Sequence, residues 1–331
     1  MSNASPPAVS VLIVAYQSAP TLQRCLDSLK AQTFKDFETI VLDNASTDGG
    51  AAIAQAQPGV QLIKADRNLG FAGGNNAAAK AARGRWIALL NPDAYAQDDW
   101  LSAFMAASQA HPDVRCFTAR QLMDEDPTRL DGLGDVMSVV GVPFRGGYGA
   151  PDQGVAEGEV FSACGAAMMI DRDLFASLGG FDERFFCYCE DVDLGYRLRL
   201  IGEATRLVRG AVVRHTGSAS NAGPRSAFAL YHGARNRLWA YVQNTPLALL
   251  VLTVIPHTAF TALLMARHVL RGETKPAFRG LADGLRGLGE AIDRRRVVQA
   301  TRTVSSAQIA AAMSFNPLAW LRAAPVVKPR T

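Results

Sequence analysis

Acidic residues are absent from a long stretch of this 331-residue chain. No Asp or Glu occurs between Glu203 and Glu273, although that stretch holds eight arginines. A positive zone of this kind suits phosphate groups or an anionic membrane surface. The net charge of the whole chain is only +4, which is too small to indicate a nucleic-acid partner.

Cysteine is also scarce, and the five residues are Cys25, Cys116, Cys164, Cys187 and Cys189. Their number is odd, and the N-terminal "MSNASPPAVS" lacks the apolar core of a secretory signal. We therefore expect reduced thiols in a cytoplasmic protein. Cys187 and Cys189 form a Cys-x-Cys pair, but a closed zinc site needs about four ligands and no second closely spaced pair exists.

The glycine fingerprint of dinucleotide-binding folds is missing as well. The glycines of "NLGFAGGNN" (68–76) precede a helical pattern, but their spacing fits neither G-x-G-x-x-G nor the P-loop lysine motif. Gly70, Gly73 and Gly74 still allow the backbone to approach a ligand at a helix N-terminus. The spacing disfavours a dinucleotide-dependent oxidoreductase without identifying another ligand.

Short apolar runs alternate with helical patterns through the first hundred residues. Buried strands are predicted at 9–16, 37–43, 60–65 and 86–94, with helical segments between them. This alternation predicts an α/β protein with a doubly wound, mostly parallel sheet. Ligands of such sheets bind at the carboxyl ends of the strands, where this chain has Tyr16, Asp43, Asn68 and Asp93.

The pattern is looser after about residue 116. Residues 132–159 are Gly-rich and are predicted to form an irregular, mobile loop over a site. A strand at 166–171 and a helix at 190–202 follow, then two short strands within 204–215 and a helix at 226–244.

Carboxylates occur at three predicted strand or helix ends, and each of these three places has two readings. Asp93, in "LLNPDA" with Asn91, is either part of a polar turn or a ligand for a divalent cation that bridges a diphosphate. Asp43 either caps the next helix or accepts hydrogen bonds from a ribose or base. Glu190 and Asp191 either complement a helix dipole or include a general base beside an aromatic wall.

Three further residues, Asp193, Arg197 and His215, have ordinary structural interpretations. Asp193 and Arg197 are four apart and are expected to pair on the surface of a helix. His215 ends an apolar strand in "AVVRHTGS", and a lone histidine of this kind is usually structural.

Several segments together resemble family 2 glycosyltransferases of the GT-A fold, in particular the bacterial rhamnosyltransferase-like branch. They are "VSVLIVAYQSAPTLQRCLDSL", "IVLDNASTDGG", "NLGFAGGNNAAAKAARGRWIALLNPDA", "GAAMMIDRDLFASLGGFDERFFCYCEDVDLGYRLRLIG" and "VVRHTGSAS". The resemblance runs from Val9 to about Asn244, or roughly seven-tenths of the chain. Each motif is weak alone, but their order and spacing are specific.

The resemblance implies a role for each matching position. Asp191 would be the general base, with Glu190 as its neighbour in the catalytic pair, and Asp93 and His215 would hold Mg²⁺ or Mn²⁺. The donor pocket would comprise Ala15, Tyr16, Asp43, Asn68, Gly70, Asn76, Asn91 and Asp93. The family's metal motif is often Asp-x-Asp, whereas its first position here is Asn91, which leaves one strong metal carboxylate.

The resemblance implies an inverting hexosyltransferase. It also implies a non-processive one, because the Gln-x-x-Arg-Trp motif of processive synthases is absent. It would move a sugar, with rhamnose favoured, from a dTDP or UDP donor to a lipid-linked or cell-envelope glycan acceptor by metal-assisted direct displacement. The alternatives are the dinucleotide-binding oxidoreductase and a non-catalytic membrane-associated partner that retains the fold. The GT-A domain would divide into a nucleotide-sugar half (1–115) and an acceptor half (116–244).

The remaining residues, 245–331, are predicted to be a helical, basic extension. Residues 246–265 are uncharged, which allows a membrane span by length, but Pro256 lies at the centre of the run. Residues 267–302 contain nine Lys or Arg and four Asp or Glu, a net of +5. An interfacial helix pair on the inner face of the cell membrane, a spanning helix and a buried helix all fit, and 316–331 is expected to be a frayed tail.

Overall fold

The computed structural model describes residues 5–154, 156–217 and 226–328. The strands are Val9–Ala15 (β1), Phe37–Asp43 (β2), Val60–Lys64 (β3), Trp86–Leu90 (β4), Ala94–Ala96 (β5), Cys116–Met123 (β6), Leu130–Gly132 (β7), Asp135–Met137 (β8), Pro143–Arg145 (β9), Gly158–Val160 (β10), Ala167–Asp171 (β11) and Thr205–His215 (β12). The helices are Ala19–Lys30 (α1), Gly50–Gln55 (α2), Gly70–Ala79 (α3), Trp100–Ala110 (α4), Arg172–Ser177 (α5), Glu190–Leu200 (α6), Ala227–Asn244 (α7), Leu247–Leu270 (α8), Thr274–Arg286 (α9), Leu288–Ala300 (α10), Ser306–Ala312 (α11) and Pro317–Arg322 (α12).

The main sheet has the order β10-β12-β6-β11-β4-β1-β2-β3. The pairs among β1, β2, β3 and β4 are parallel, whereas β11 is antiparallel to both β4 and β6. The register aligns Ala15 with Asp43 and Asp43 with Lys64, so the carboxyl ends of three strands meet at one edge. The predicted α/β class, with a mixed but mostly parallel sheet and a helical C-terminal extension, is confirmed.

Both faces of this sheet are covered by helices, which explains the continuous apolar runs of its strands. On one face, α1 packs Leu22, Leu26 and Leu29 against alternate residues of β1. On the other face, α3 and α6 cover Leu12 and the remaining alternate positions. Residues that succeed one another along a strand point to opposite faces, so every position of β1 is apolar or small.

The segment 132–159 is not the irregular loop that its glycines suggested. It contains the antiparallel ribbon β8–β9 and the edge strand β10. Leu133, Val136 and Met137 are buried there, and this apolar packing fixes the segment in place. The two short strands predicted within 204–215 are likewise one strand, β12, whose pairing with β6 shifts register between Val208 and Val212.

The pair formed by Asp193 and Arg197 is buried, not on the surface as predicted. The exposed fractions of the two side chains are 0% and 4%. Asp193 also accepts hydrogen bonds from Gln243 and Asn244 of α7, and Arg197 donates to the backbone carbonyls of two residues before α6. The pair therefore joins α6 to α7 within the core.

Residues 316–328 are not frayed, and the last three residues of the predicted tail, 329–331, lie outside the described residues. The described segment forms α12, and Lys328 exchanges backbone hydrogen bonds with Glu159 of β10. Trp320 of α12 packs edge-to-face against Phe260 of α8, with ring centroids 6.0 Å apart. The C-terminal extension is thereby joined to both the sheet and α8. The proposed boundaries at 115/116 and 244/245 stay predictions.

Candidate active site

A cavity of about 640 Å³ opens at the carboxyl ends of β1 and β4. Of the residues predicted from the sequence, it is lined by Tyr16, Asn68, Gly70, Asn91, Asp93, Glu190, Asp191 and His215. These residues come from the strand ends, the start of α3, the start of α6 and the end of β12. The fold therefore brings most of the predicted site into one cavity.

Ala15, Asp43 and Asn76 do not line this cavity. The carbonyl of Ala15 accepts the backbone N–H of Asn44, and the carboxylate of Asp43 accepts the N–H of Ser46 at 3.2 Å. The side chain of Asn76 holds Phe181, donating to its carbonyl and accepting from its N–H, both at 2.9 Å. All three support the loops that surround the cavity.

Asn44 is a supporting residue that the sequence analysis missed. Its buried amide accepts the N–H of Leu69 at 2.8 Å and donates to the side chain of Asn68 and the carbonyl of Gly70. Gly70 has a φ of +70°, and a Cβ there would lie 2.3 Å from the carbonyl oxygen of Phe186. Only glycine fits this position, where the start of α3 meets the turn before α6.

His215 stands between two carboxylates at the end of β12. Its Nδ1 lies 2.8 Å from Asp131 Oδ2, and its Nε2 lies 3.3 Å from Asp93 Oδ1. The side-chain amide of Asn91 is 3.4 Å from the same Nε2. Burial lowers the pKa of His215, but hydrogen bonds to Asp131 and Asp93 outweigh it and raise the pKa to about 9.

Asp131 was missed because it lies in β7, next to the region predicted to be irregular. Its Oδ2 accepts from His215 and also from Arg145 Nη1 at 2.9 Å. Burial raises the pKa of Asp131, but the charges of Arg145 and His215 outweigh it and lower the pKa. Asp131 therefore remains ionised and orients the imidazole with Nε2 toward Asp93.

A strained turn places Glu190 and Asp191 at the cavity. Phe186, Tyr188 and Cys189 have φ angles of 64°, 70° and 66°, which are uncommon for residues with a side chain. The side-chain nitrogen of Asn236 on α7 lies within 2.7–2.9 Å of the carbonyl oxygens of residues 185, 187 and 188. These hydrogen bonds hold the turn in a conformation that costs energy, as is common at active sites.

The carboxylate of Asp191 is fixed by the backbone. Its Oδ2 accepts the N–H of Gly165 at 2.9 Å, and its Oδ1 accepts the N–H of Val192 at 2.8 Å. Burial raises the pKa of Asp191, against these hydrogen bonds and the charge of Arg145, which lower it. The net effect is a raised pKa of Asp191, which suits a group that must accept a proton.

Two more ionisable residues of the cavity were not predicted, Asp135 of β8 and Arg145 of β9. Burial and the charge of Asp191 raise the pKa of Asp135 well above its usual value. The positive charge of Arg145 interacts with the carboxylates of Asp135 and Asp191, and its guanidinium forms an ion pair with Asp131. Because both residues belong to the ribbon that was taken for a loop, their spacing gave no signal.

Glu190 is buried without a partner for one of its oxygens. Glu190 is 5% exposed, and its Oε2 has no hydrogen-bond partner in the described part of the chain. Burial and the charge of Asp191 raise the pKa of Glu190 well above its usual value. A raised carboxyl pKa adds stability below the unfolded-state pKa, and that stability is lost as pH rises through the folded-state pKa.

We therefore expect Glu190→Gln to stabilise the fold at neutral pH by about 1–3 kcal/mol, because it removes a buried charge that lacks a partner. The gain should shrink as pH falls through the raised pKa of Glu190, because the parent carboxyl then becomes protonated in the folded state. Thermal unfolding at several pH values measures this, with Glu125→Gln as the exposed control. A lower melting temperature for Glu190→Gln at pH 7 would contradict the interpretation.

The fold and this cavity agree with what comparison with known proteins finds. The Glycosyl transferase family 2 model matches residues 10–179. The chain belongs to this family, and it is a glycosyltransferase. Family membership argues against the dinucleotide-dependent oxidoreductase considered from the sequence.

Two bacterial relatives have names that state a rhamnosyl transfer and a role in O-antigen biosynthesis. The chain is 28% identical over 253 residues to N-acetylglucosaminyl-diphospho-decaprenol L-rhamnosyltransferase of Mycobacterium tuberculosis, covering 67% of this chain and 80% of the relative. It is 34% identical over 235 residues to the O-antigen biosynthesis protein RfbC of Myxococcus xanthus, covering 65% of this chain and 18% of RfbC. The rhamnosyltransferase resemblance noted from the motifs is thereby confirmed.

Solved structures show the same fold at low identity. Residues 1–349 of S. aureus TarS, in complex with UDP-GlcNAc, match with a TM-score of 0.56 and 15% identity, covering 88% of this chain and 90% of that one. The mannosyltransferase PcManGT of Pyrobaculum calidifontis, in complex with GDP-Man and Mn²⁺, matches with a TM-score of 0.51 and 18% identity, covering 96% and 79%. These structures support the GT-A fold.

Proposed function

We propose that this glycosyltransferase moves a sugar from a nucleoside-diphosphate donor to a lipid-linked or cell-envelope glycan, with inversion and one sugar per encounter. The observation that supports this best is the cavity itself, which has Asp93 and His215 at the strand ends and Asp191 at the start of α6. Rhamnose is the favoured sugar, from dTDP or UDP, because a relative covering 67% of the chain is a rhamnosyltransferase.

The residues present fit a divalent cation that is shared with the donor, provided that the cation displaces the Nε2 proton that His215 holds through its raised pKa. Asp93 Oδ1 and His215 Nε2 face each other at 3.3 Å, and Asp131 holds the other imidazole nitrogen, as a carboxylate behind a metal-binding histidine commonly does. Within the described residues, no group of three or more His, Cys, Asp or Glu is placed to hold a metal. Mg²⁺ or Mn²⁺ would therefore take further ligands from diphosphate and water, and when bound it would stabilise negative charge on the leaving group.

The chemistry assigned to the chain's own residues is a single displacement. The acceptor hydroxyl oxygen forms a bond to the anomeric carbon while the bond from that carbon to the diphosphate oxygen breaks and its electron pair leaves with the diphosphate. Asp191 accepts the hydroxyl proton. Attack from the face opposite the leaving group inverts the anomeric configuration.

Asp93→Ala should weaken nucleotide-sugar binding by roughly 10-fold or more in Mn²⁺ and change it little in EDTA, because the lost carboxylate acts through the cation. Calorimetric titration of the full chain in each condition measures this. Asp98→Ala, an exposed change five residues later, is the control. Equal affinity of Asp93→Ala and the parent in Mn²⁺ would contradict the assignment.

We also propose that the protein acts on the inner face of the cell membrane. By length and composition, one helix in the described residues, α8, could cross a membrane, and 17% of its most apolar window is buried. Its buried residues Thr253, His257 and Met265 pack on the protein. The opposite face exposes Val251, Leu252, Ile255, Leu263, Val269 and Leu270. A helix with one exposed apolar face and one face packed on the rest of the protein is suited to lie in the membrane–water interface.

The surroundings of α8 support this arrangement. Phe315, Leu318 and Leu321, at and near α12, are 60–69% exposed and extend the apolar surface. Exposed basic residues follow at the end of α8 and on α9, where anionic lipid would attract them: Arg267, Arg271, Lys275 and Arg279. The imidazole of His257 stacks on Tyr241 at 3.7 Å and bonds the carbonyl of Val140 at 2.8 Å, contacts that a spanning helix would lose.

The full chain should therefore float with anionic liposomes, bind neutral ones weakly and be partly released by high salt, because salt screens only the electrostatic part of the attraction. Ile255→Asp, at a position 80% exposed, should reduce flotation strongly, whereas Tyr148→Asp, at an exposed position on a loop, should not. Flotation that ignores lipid charge, or that survives Ile255→Asp unchanged, would refute the interfacial arrangement.

A further inference from the structure

Arg237, on α7, is a half-buried residue whose guanidinium has one nitrogen that the described part of the fold buries. Its Nη2 atom is buried and has no hydrogen-bond partner among residues 5–154, 156–217 and 226–328. The rest of the chain contains no Asp or Glu, so it supplies no side-chain carboxylate either. Burial lowers the pKa of Arg237, as expected for a cation that has lost water without gaining an anion. An arrangement this costly points to a ligand.

A second arginine on the same helix shows the contrast. Arg235 donates to the carbonyl oxygens of Arg184 and Phe185 at 3.1 and 2.9 Å and to the side chain of Asn236 at 2.8 Å. Its guanidinium is thus used within the fold to support the strained turn before α6. Arg237, two residues later, therefore faces a different side of α7 and has no equivalent contacts.

The position of Arg237 connects the cavity with α8. Gly233 lines the cavity one helical turn before Arg237, and a Cβ added there would meet no atom within 4 Å. The charge of Arg237 acts on the thiol of Cys189, which lines the cavity beside Glu190, and on the imidazole of His257 in α8. Arg237 therefore lies within electrostatic range of both the cavity and the helix with the exposed apolar face.

We propose that Arg237 binds the diphosphate of a lipid-linked acceptor where that acceptor passes from α8 into the cavity. The planar guanidinium suits phosphate oxygens, to which it donates two parallel hydrogen bonds. The donor diphosphate is already assigned to the cation that Asp93 and His215 would hold, so a second diphosphate needs its own cationic group. The proposal rests on the proposed function in one respect, namely that the acceptor is lipid-linked.

The proposed site gives a reason for the lack of acidic residues between Glu203 and Glu273. It includes α7 and α8 entirely, so these helices present no side-chain carboxylate to repel an entering diphosphate. The prenyl chain of the acceptor would lie along the exposed apolar face of α8, within the lipid. The sugar that follows the diphosphate would then reach Asp191.

The test uses the full chain and farnesyl diphosphate, with farnesol as the probe that lacks the diphosphate. Both are titrated in EDTA with excess UDP, so that the donor site does not contribute. The parent should prefer farnesyl diphosphate, and Arg237→Met should reduce that preference roughly 10- to 100-fold while leaving farnesol binding unchanged. Arg296→Met, a change on α10 at a side chain that is 77% exposed, should retain the preference.

Two further measurements separate this site from other roles of Arg237. The melting temperature of Arg237→Met should equal or exceed that of the parent, since an unpaired buried charge is removed, and nucleotide-sugar affinity in Mn²⁺ should stay within a few-fold. A parent without preference for the diphosphate, an unchanged preference in Arg237→Met, a markedly lower melting temperature, or a parallel loss of donor affinity would each overturn the proposal. If no nucleotide sugar binds but the preference still depends on Arg237, the proposed donor function fails and this site stands.

Discussion

Asp191→Asn should lower turnover by roughly 10²–10⁴-fold and leave donor affinity nearly unchanged. The amide cannot take the acceptor proton, but its oxygen can still accept the N–H of Gly165, which Asp191 accepts at 2.9 Å. The position of the side chain and the shape of the donor pocket should therefore survive. Turnover is measured with a saturating donor, and donor affinity is measured separately by titration.

The matched control is Asp173→Asn, a change in the first turn of α5 at a side chain that is 84% exposed. It alters the charge by the same amount far from the base and should leave turnover intact. In the parent, turnover should fall as pH drops through the raised pKa of Asp191, because the protonated carboxyl cannot act as a base. Turnover of Asp191→Asn within a few-fold of the parent would remove Asp191 from the base position.

Arg197→Met should destabilise the protein by about 3–5 kcal/mol, since it leaves a buried carboxylate without its cation. Asp193 is fully buried, and its Oδ2 receives Arg197 Nε at 2.8 Å. Gln243 and Asn244 bond the other carboxylate oxygen, Oδ1. The loss should appear as a lower midpoint of denaturant unfolding with an unchanged slope.

An exposed pair on another helix is the control. Arg296 pairs with Asp293 on α10 at 2.7 Å, and both side chains are at least 70% exposed. Arg296→Met should change stability by about 0–1 kcal/mol, as is usual for surface pairs. If Arg197→Met costs no more than Arg296→Met, the Asp193–Arg197 pair does not have the structural role inferred from its burial.

The sequence predicted the sheet and its ligand edge because both depend on local patterns. Continuous apolar runs such as residues 9–15 identify strands buried on both faces, and the polar residues after them mark the carboxyl ends. The helix that begins with Glu190 was equally visible from its apolar spacing. These features need no knowledge of distant contacts.

The residues that were missed depend on contacts between distant parts of the chain. Asp131 meets His215 and Arg145 only after the ribbon 135–145 has formed, and the glycines of that region obscure the pattern of its strands. Asn236 supports the strained turn from 48 or more residues away. The burial of Asp193 could not be read from the i, i+4 spacing, because that spacing is the same on a buried face as on an exposed one.

The decisive test of the proposed donor binding is a thermal-shift screen of the full chain against UDP-, dTDP- and GDP-sugars and NAD, each with Mn²⁺ and with EDTA. A ligand that binds only the native state stabilises it by about 2.7 kcal/mol at a concentration 100 times Kd. We predict that at least one nucleotide sugar raises the melting temperature by several degrees in Mn²⁺, that EDTA reduces the shift, and that NAD gives none. A shift with NAD and none with any nucleotide sugar would contradict the account.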